Sequence, residues 1–199
     1  VVVPPGVFLA GPIHLKSRVN LHVSEGATIR FSRDPAAYLP VVLTRWEGVE
    51  LMGYSPLVYA HGQQDIAVTG KGTLDGQADA EHWWPWKRNG HPQSQKPDRD
   101  RLFAQAEAGV PVADRVYGDG HYLRPQFLQP YRCTNVLIEG VTLVPDNLSR
   151  FLSKDRYSLL SDRAMEAVRV YLREYGTTLW LFPGARPNRP LTIRSAQKI

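Results

Sequence analysis

Cysteine is nearly missing from this chain: Cys133 is the only one in 199 residues. A single thiol excludes an internal disulfide and a cysteine-based zinc site. Long apolar runs are missing too. None approaches the ~20 residues that a transmembrane helix needs, so no membrane association is expected. The opening Val1-Val2-Val3-Pro4-Pro5-Gly6 has no Met, no basic stretch and no long apolar core, so no signal peptide is visible. Asn-Gly, the strongest short hairpin signal, occurs once, at Asn89-Gly90 within a polar stretch. Gly and Pro number 16 each, too many for a helix bundle and too few for a low-complexity chain. With 43% hydrophobic and 22% charged residues, the composition is that of a soluble globular protein.

Charge is divided unevenly. The chain carries 24 Lys+Arg and 19 Asp+Glu, a net of +5. Residues 150–199 hold ten basic and four acidic residues, a net of +6, and residues 1–149 hold 14 and 15, a net of −1. Fourteen of the 16 glycines precede residue 150. Two compositions in one chain predict two regions of different origin, 1–147 and 148–199.

The long first region alternates with period two. Val19, Leu21 and Val23 alternate with Asn20 and His22. After Gly26, Ala27, Ile29 and Phe31 alternate with Thr28 and Arg30. The unit recurs at Ile66 and Val68 before Gly70-Lys71-Gly72 and Thr73-Leu74. It recurs again at Val136 and Ile138 before Gly140 and Val141-Thr142-Leu143. Short strands meeting glycine corners in a loose repeat predict a β-solenoid, with Val19, Leu21, Ile29, Ile66, Val68, Val136 and Ile138 inward. An antiparallel sandwich also alternates and stays open on pattern alone.

Between Gln77 and Asp119 the alternation fails. A long loop is expected there, with one helical piece over Arg101 to Ala108. Its Trp83, Trp84 and Trp86 offer two readings: flat faces that stack on sugar rings, or plugs that pin the loop onto the solenoid.

Val3-Pro4-Pro5-Gly6 with Phe8 and Leu9, Gly11-Pro12-Ile13 and Glu25-Gly26-Ala27-Thr28-Ile29 open a longer pattern. It continues with Tyr59-Ala60-His61-Gly62, with Asp65 through Gly76, and with Trp83-Trp84. Leu123-Arg124-Pro125-Gln126-Phe127 and Cys133 through Thr142 complete it. In order and spacing, residues 3–145 resemble the polygalacturonases, the family 28 glycoside hydrolases. The resemblance implies the N-terminal part of a right-handed parallel β-helix. It implies hydrolysis of pectic polysaccharide (oligogalacturonate) with inversion, no cofactor, no metal, a monomer, and a secreted or periplasmic location.

Inverting hydrolysis needs an acid for the leaving oxygen and a base for water, about 6.5–9.5 Å apart. The resembled family supplies them from an Asn-Thr-Asp motif, an Asp-Asp pair, a Gly-His-Gly and an Arg-Ile-Lys. This sequence has no Asn-Thr-Asp, no adjacent Asp-Asp and no Arg-Ile-Lys. His61-Gly62 precedes the Gly72-to-Gly76 segment, and His91 and His121 each follow a Gly without preceding one. Asp75 with Asp79 and Asp98 with Asp100 are spaced as pairs but read as turn and loop carboxylates. No catalytic residue is therefore assigned, and no pectin hydrolysis is expected. In Tyr122 to Phe127, alternation puts Leu123 and Phe127 on one face and Tyr122, Arg124 and Gln126 on the other. Those three are the candidate substrate contacts. Arg124 can fork onto a galacturonate carboxylate; the alternative is a structural Arg bonded to a neighbouring loop.

The last region reads differently. Ser161 is a fair N-cap, and Ala164, Val168, Tyr171, Leu172 and Tyr175 form a helical stripe ending at Gly176. Lys154 through Ser161, Leu181-Phe182-Pro183-Gly184, Arg189-Pro190-Leu191 and Arg194-Ser195-Ala196-Gln197 resemble the middle of a tyrosine recombinase (phage integrase) domain. Phe151 occupies the place of that family's hairpin Lys, and Tyr157, Tyr171 and Tyr175 do not match its nucleophile, so no recombinase chemistry is implied. Two resemblances joined near residues 144–153 predict a chimera. The competing readings are a DNA-binding protein defined by its basic tail, and a non-catalytic carbohydrate-binding solenoid. Nucleic acid is not the expected partner.

Overall fold

A computed structural model describes residues 1–144 of the chain. The helix expected over 161–175, the recombinase-like segment and the boundary at 147/148 lie outside the described residues.

The chain winds in coils, each laying one strand on each of three sheets. The first coil has β1 (Val2–Val3), β2 (Gly6–Ala10) and β3 (Ile13–His14). The second has β4 (Asn20–Val23) and β5 (Ala27–Phe31), then an inserted hairpin of β6 (Val42–Trp46) and β7 (Val49–Gly53), then β8 (Val58–His61). The third has β9 (Gln64–Gly70) and β10 (Thr73–Asp75). A long excursion follows, carrying α1 (Lys96–Glu107) and β11 (Val116–Tyr117), and β12 (Leu128–Tyr131) closes the coil. β13 (Thr134–Ile138) and β14 (Thr142–Val144) begin the fourth. The sheets run β1-β4-β9-β13, β2-β5-β10-β14 and β3-β8-β12, every pair parallel. Parallel stacking in coil order decides against the sandwich.

The alternation explains the core. Leu21, Val23, Ile29, Phe31, Ile66, Val68 and Leu74 are all at or below 4% exposure. In register Leu21 sits beside Val68, and Ile29 beside Leu74. Each such buried side chain contributes roughly 1.5–3 kcal/mol. The polar residues between them face out, and His22 and Asn20 both bond to the Thr69 hydroxyl.

Three expectations are corrected. Val136 and Ile138 stack in register on Ile66 and Val68, yet they are 38% and 46% exposed. Among the described residues β13 is an edge strand, so nothing covers them on the far side. β6 and β7 form an antiparallel hairpin, with Trp46 paired to Val49 across Glu47-Gly48. Both turn residues have positive φ (43° and 93°), the geometry of a type I′ turn built without Asn. The helix begins five residues earlier than Arg101, because Pro97 suits a first turn, where its missing N–H costs nothing.

The tryptophans divide. Trp83 and Trp86 are buried at 7% and 5% exposure and pack edge-on at 5.1 Å, with Tyr38 against Trp83 and Tyr54 against Trp86. These two pin the loop onto the core. A second cluster of Trp46, Leu51, Leu102, Tyr117 and Leu123 joins the hairpin, α1 and the segment after β11.

Candidate functional site

The acidic side chains come first, because hydrolysis would need two of them. Asp75 accepts from the Gln77 N–H at 2.9 Å and faces Arg30 at 3.6 Å. Asp79 accepts from the Glu81 and His82 N–H groups, meets His82 Nδ1 at 2.8 Å and pairs with Arg33 at 3.2 Å. The His82 side chain and the backbone donors hold its carboxyl down at about 2. Asp100 is held below the ordinary range by hydrogen bonds from Lys96 and Arg99. A general acid needs the opposite shift. Asp98 also has both oxygens in use: Oδ1 meets His121 Nδ1 and Oδ2 accepts from the Tyr122 N–H, each at 2.7 Å. Asp75 and Asp79 cap turns, whereas Asp98 and Asp100, read from the sequence as turn and loop carboxylates, lie on α1. Among the described residues, no group of three or more His, Cys, Asp or Glu is placed to hold a metal ion.

Tyr122, Arg124 and Gln126 flank the second cluster's anchor, Leu123, which is 3% exposed. Tyr122 lies edge-on to Trp86 at 5.3 Å. Arg124 and Gln126 share a small cleft with Trp46, Leu51 and Tyr54, between the hairpin and residues 123–126. The segment is held by backbone: Leu57 N–H donates to the Gln126 carbonyl at 3.0 Å, and Val58 N–H to Phe127 at 2.9 Å. The three polar ends are left over. The Tyr122 hydroxyl, the Arg124 Nη1 and Nη2 and the Gln126 amide make no hydrogen bond among the described residues. Among the described residues, the one buried polar side-chain atom without a partner is Trp84 Nε1.

Arg124 bears the local charge. Its Nε donates to Gln95 Oε1 at 3.0 Å. Burial pushes its guanidinium below the ordinary value, and Glu47 at the hairpin tip opposes that shift. Tyr54, on the cleft wall, is pushed up to about 12 by burial first and by Asp119, Tyr122 and Asp98 after it. Its hydroxyl stays neutral at ordinary pH and can donate a hydrogen bond. Sequence reasoning missed Tyr54 and Gln95. Tyr54 follows β7 with no alternation to mark it, and Gln95 reaches Arg124 across 29 residues. The cleft brings a cation held at Nε together with Tyr54 and the Gln126 side chain, groups suited to an anionic ligand; Tyr122 is not among its lining residues.

This chain is similar to polygalacturonases. A hyperthermoactive exopolygalacturonase from Thermotoga maritima superposes with a TM-score of 0.68 at 58% identity, over 71% of this chain. The match covers 33% of that enzyme, so this chain spans one third of its length. A family 28 exopolygalacturonase from Yersinia enterocolitica aligns at 20% identity and a TM-score of 0.44, over 71% of this chain and 28% of its own. A polygalacturonase from Erwinia carotovora aligns at 21% identity and 0.41, over 69% and 32%. No protein-family profile matches the chain, and no curated protein does.

Proposed function

We propose that this chain carries the scaffold and part of the substrate surface of a pectin-degrading glycoside hydrolase of the polygalacturonase type. Its coils are right-handed, it is monomeric, and it works outside the cytoplasm. The observation that carries the reading is the 58% identity to an exopolygalacturonase over 71% of the chain. Pectic chains are polyanions of repeating uronic acids, and the Arg124 guanidinium suits one such carboxylate, with Tyr122 and Gln126 beside it for ring hydroxyls. The catalytic carboxylates are not supplied by these residues. Asn-Thr-Asp, Asp-Asp and Arg-Ile-Lys are absent from the sequence, and the paired acids that are present are committed to turns and ion pairs. The chain therefore binds oligogalacturonate and does not cleave it.

The test pairs a reducing-sugar assay on polygalacturonate with titration calorimetry on an oligogalacturonate. The expected result is heat of binding, with sugar release at the no-enzyme baseline. Release that disappears on mutating an acidic residue of this chain overturns the non-catalytic half. No binding overturns the substrate half.

A further inference from the structure

We propose that Gln95 is a positioning residue that keeps Arg124 an un-neutralised cation, reserved for a carboxylate of an acidic sugar; this rests on the substrate reading above. A guanidinium taken out of water normally has a carboxylate beside it, because an unpaired buried charge is costly. Arg124 has an amide instead. Gln95 Oε1 takes the Nε–H at 3.0 Å and fixes the plane of the group, and it contributes no charge.

The acids nearby are accounted for. No carboxylate forms an ion pair with Arg124 among the described residues. Asp98 lies three residues beyond Gln95, but its two oxygens are taken by His121 and the Tyr122 N–H. Glu47 acts on Arg124 from the exposed hairpin tip and makes no ion pair with it. A guanidinium has five N–H donors, and one is used. The four on Nη1 and Nη2 form the planar fork that a carboxylate fits in bidentate fashion. Arg124 is half-buried and lines the cleft, which is where a ligand carboxylate would meet the fork.

The amide is what makes the site selective. Glutamate has nearly the same shape and keeps the hydrogen bond, but it would fill the charge that the ligand is to fill. The arrangement gives up stability in the free protein and recovers it when an anion binds. Gln95 and Asp98 stand at one end of α1, three residues apart. Together they fix the segment 121–124 against that end.

Three variants of the full chain separate the possibilities: Gln95→Glu, Gln95→Leu and Arg124→Gln. Each is melted without ligand and titrated with trigalacturonate and with its neutral galactose counterpart. Gln95→Glu is expected to raise Tm by about 2–4 °C and to weaken trigalacturonate binding at least ~tenfold. Binding of the neutral sugar should not change. Gln95→Leu, which loses the hydrogen bond, should lower Tm. Arg124→Gln should weaken trigalacturonate binding as much as Gln95→Glu does. A Tm for Gln95→Glu at or below that of the unaltered protein overturns the claim of an un-neutralised cation. Intact binding in Gln95→Glu with loss in Arg124→Gln overturns the role of Gln95 and leaves Arg124 as a contact. Unaltered binding in Arg124→Gln, or none in the parent chain, overturns the contact itself and this proposal with it.

Discussion

Asn135 sits directly against Asp65 one coil away, its Nδ2 donating to Asp65 Oδ1 at 2.6 Å, and both residues are left-handed. Asp65 lies between Gln64 and Ile66, and Asn135 between their register partners Thr134 and Val136. Arg18, with φ of 63°, holds the same place before β4. The chain thus turns the same corner in successive coils, and at Asp65 and Asn135 a short polar side chain makes the turn cheap. Asn135→Val is expected to cost about 1–2 kcal/mol more than Asn135→Gly, because both lose the bond to Asp65 and only Val is strained by left-handed backbone. Urea midpoints measure both. Equal midpoints for the two variants would mean the corner does not need left-handed backbone.

Gly70 and Gly48 both have positive φ and should differ sharply on mutation. A Cβ on Gly70 would lie 2.0 Å from the Val23 carbonyl oxygen, inside the stack of coils, whereas a Cβ on Gly48 meets nothing within 4 Å. Gly70→Ala is expected to lose more than ~4 kcal/mol and to give little soluble protein. Gly48→Ala should lose about 1 kcal/mol, the cost of left-handed backbone alone. Thermal melts that rank the two the other way would contradict the coil packing.

The sequence was most legible where one residue's neighbours decide its place. Leu21, Ile29, Ile66 and Val68 announce a buried face because period two is a local property of a strand. The parallel stacking itself came from the family resemblance and the glycine corners, since alternation does not distinguish parallel from antiparallel. The hairpin was invisible: Glu47 is a poor residue for φ of 43°, and the turn is held from outside by Trp46 and Leu51 packing with Leu102 and Tyr117. Arg124 could be read only as a choice between an outward contact and a structural Arg bonded to a neighbouring loop, and in the structure it is half-buried with its Nε on Gln95. Its partner Gln95 could not, because that contact spans the excursion that carries α1.

The Asp79–His82 pair predicts an acid dependence of known sign. The Asp79 carboxyl falls from 3.8 to about 2 in the folded chain. A depressed acid stabilises the fold above its unfolded value and loses that contribution as pH falls through the folded one. The difference in Tm between the parent and Asp79→Asn should therefore be constant from neutral pH down to about 4.5. It should then shrink, closing near pH 2. The Asn side chain retains an oxygen for the Glu81 and His82 N–H groups, so the comparison isolates the charge. A difference that widens on acidification would contradict the assignment.

Leu102 links the cleft to the scaffold. It is the one buried side chain of α1, fully enclosed by the second cluster, with Phe103 beside it partly buried against the same residues. Gln95 and Asp98, which hold Arg124 and His121, stand at the start of that helix. Leu102→Ala leaves a cavity worth about 2–4 kcal/mol, and the loss should fall on the excursion rather than on the coils. Local opening of this kind is read by hydrogen exchange. Amides of 96–108 and 117–124 should exchange much faster, while those of β4, β5 and β9 keep their protection. The oligogalacturonate binding proposed for this cleft should weaken in step, because Arg124 loses its fixed plane when the helix loosens. Leu102→Met, close in volume, should restore both readouts. If protection falls equally in β4 and β9, the excursion and the coils unfold as one unit, and α1 cannot be an independent clamp on the site.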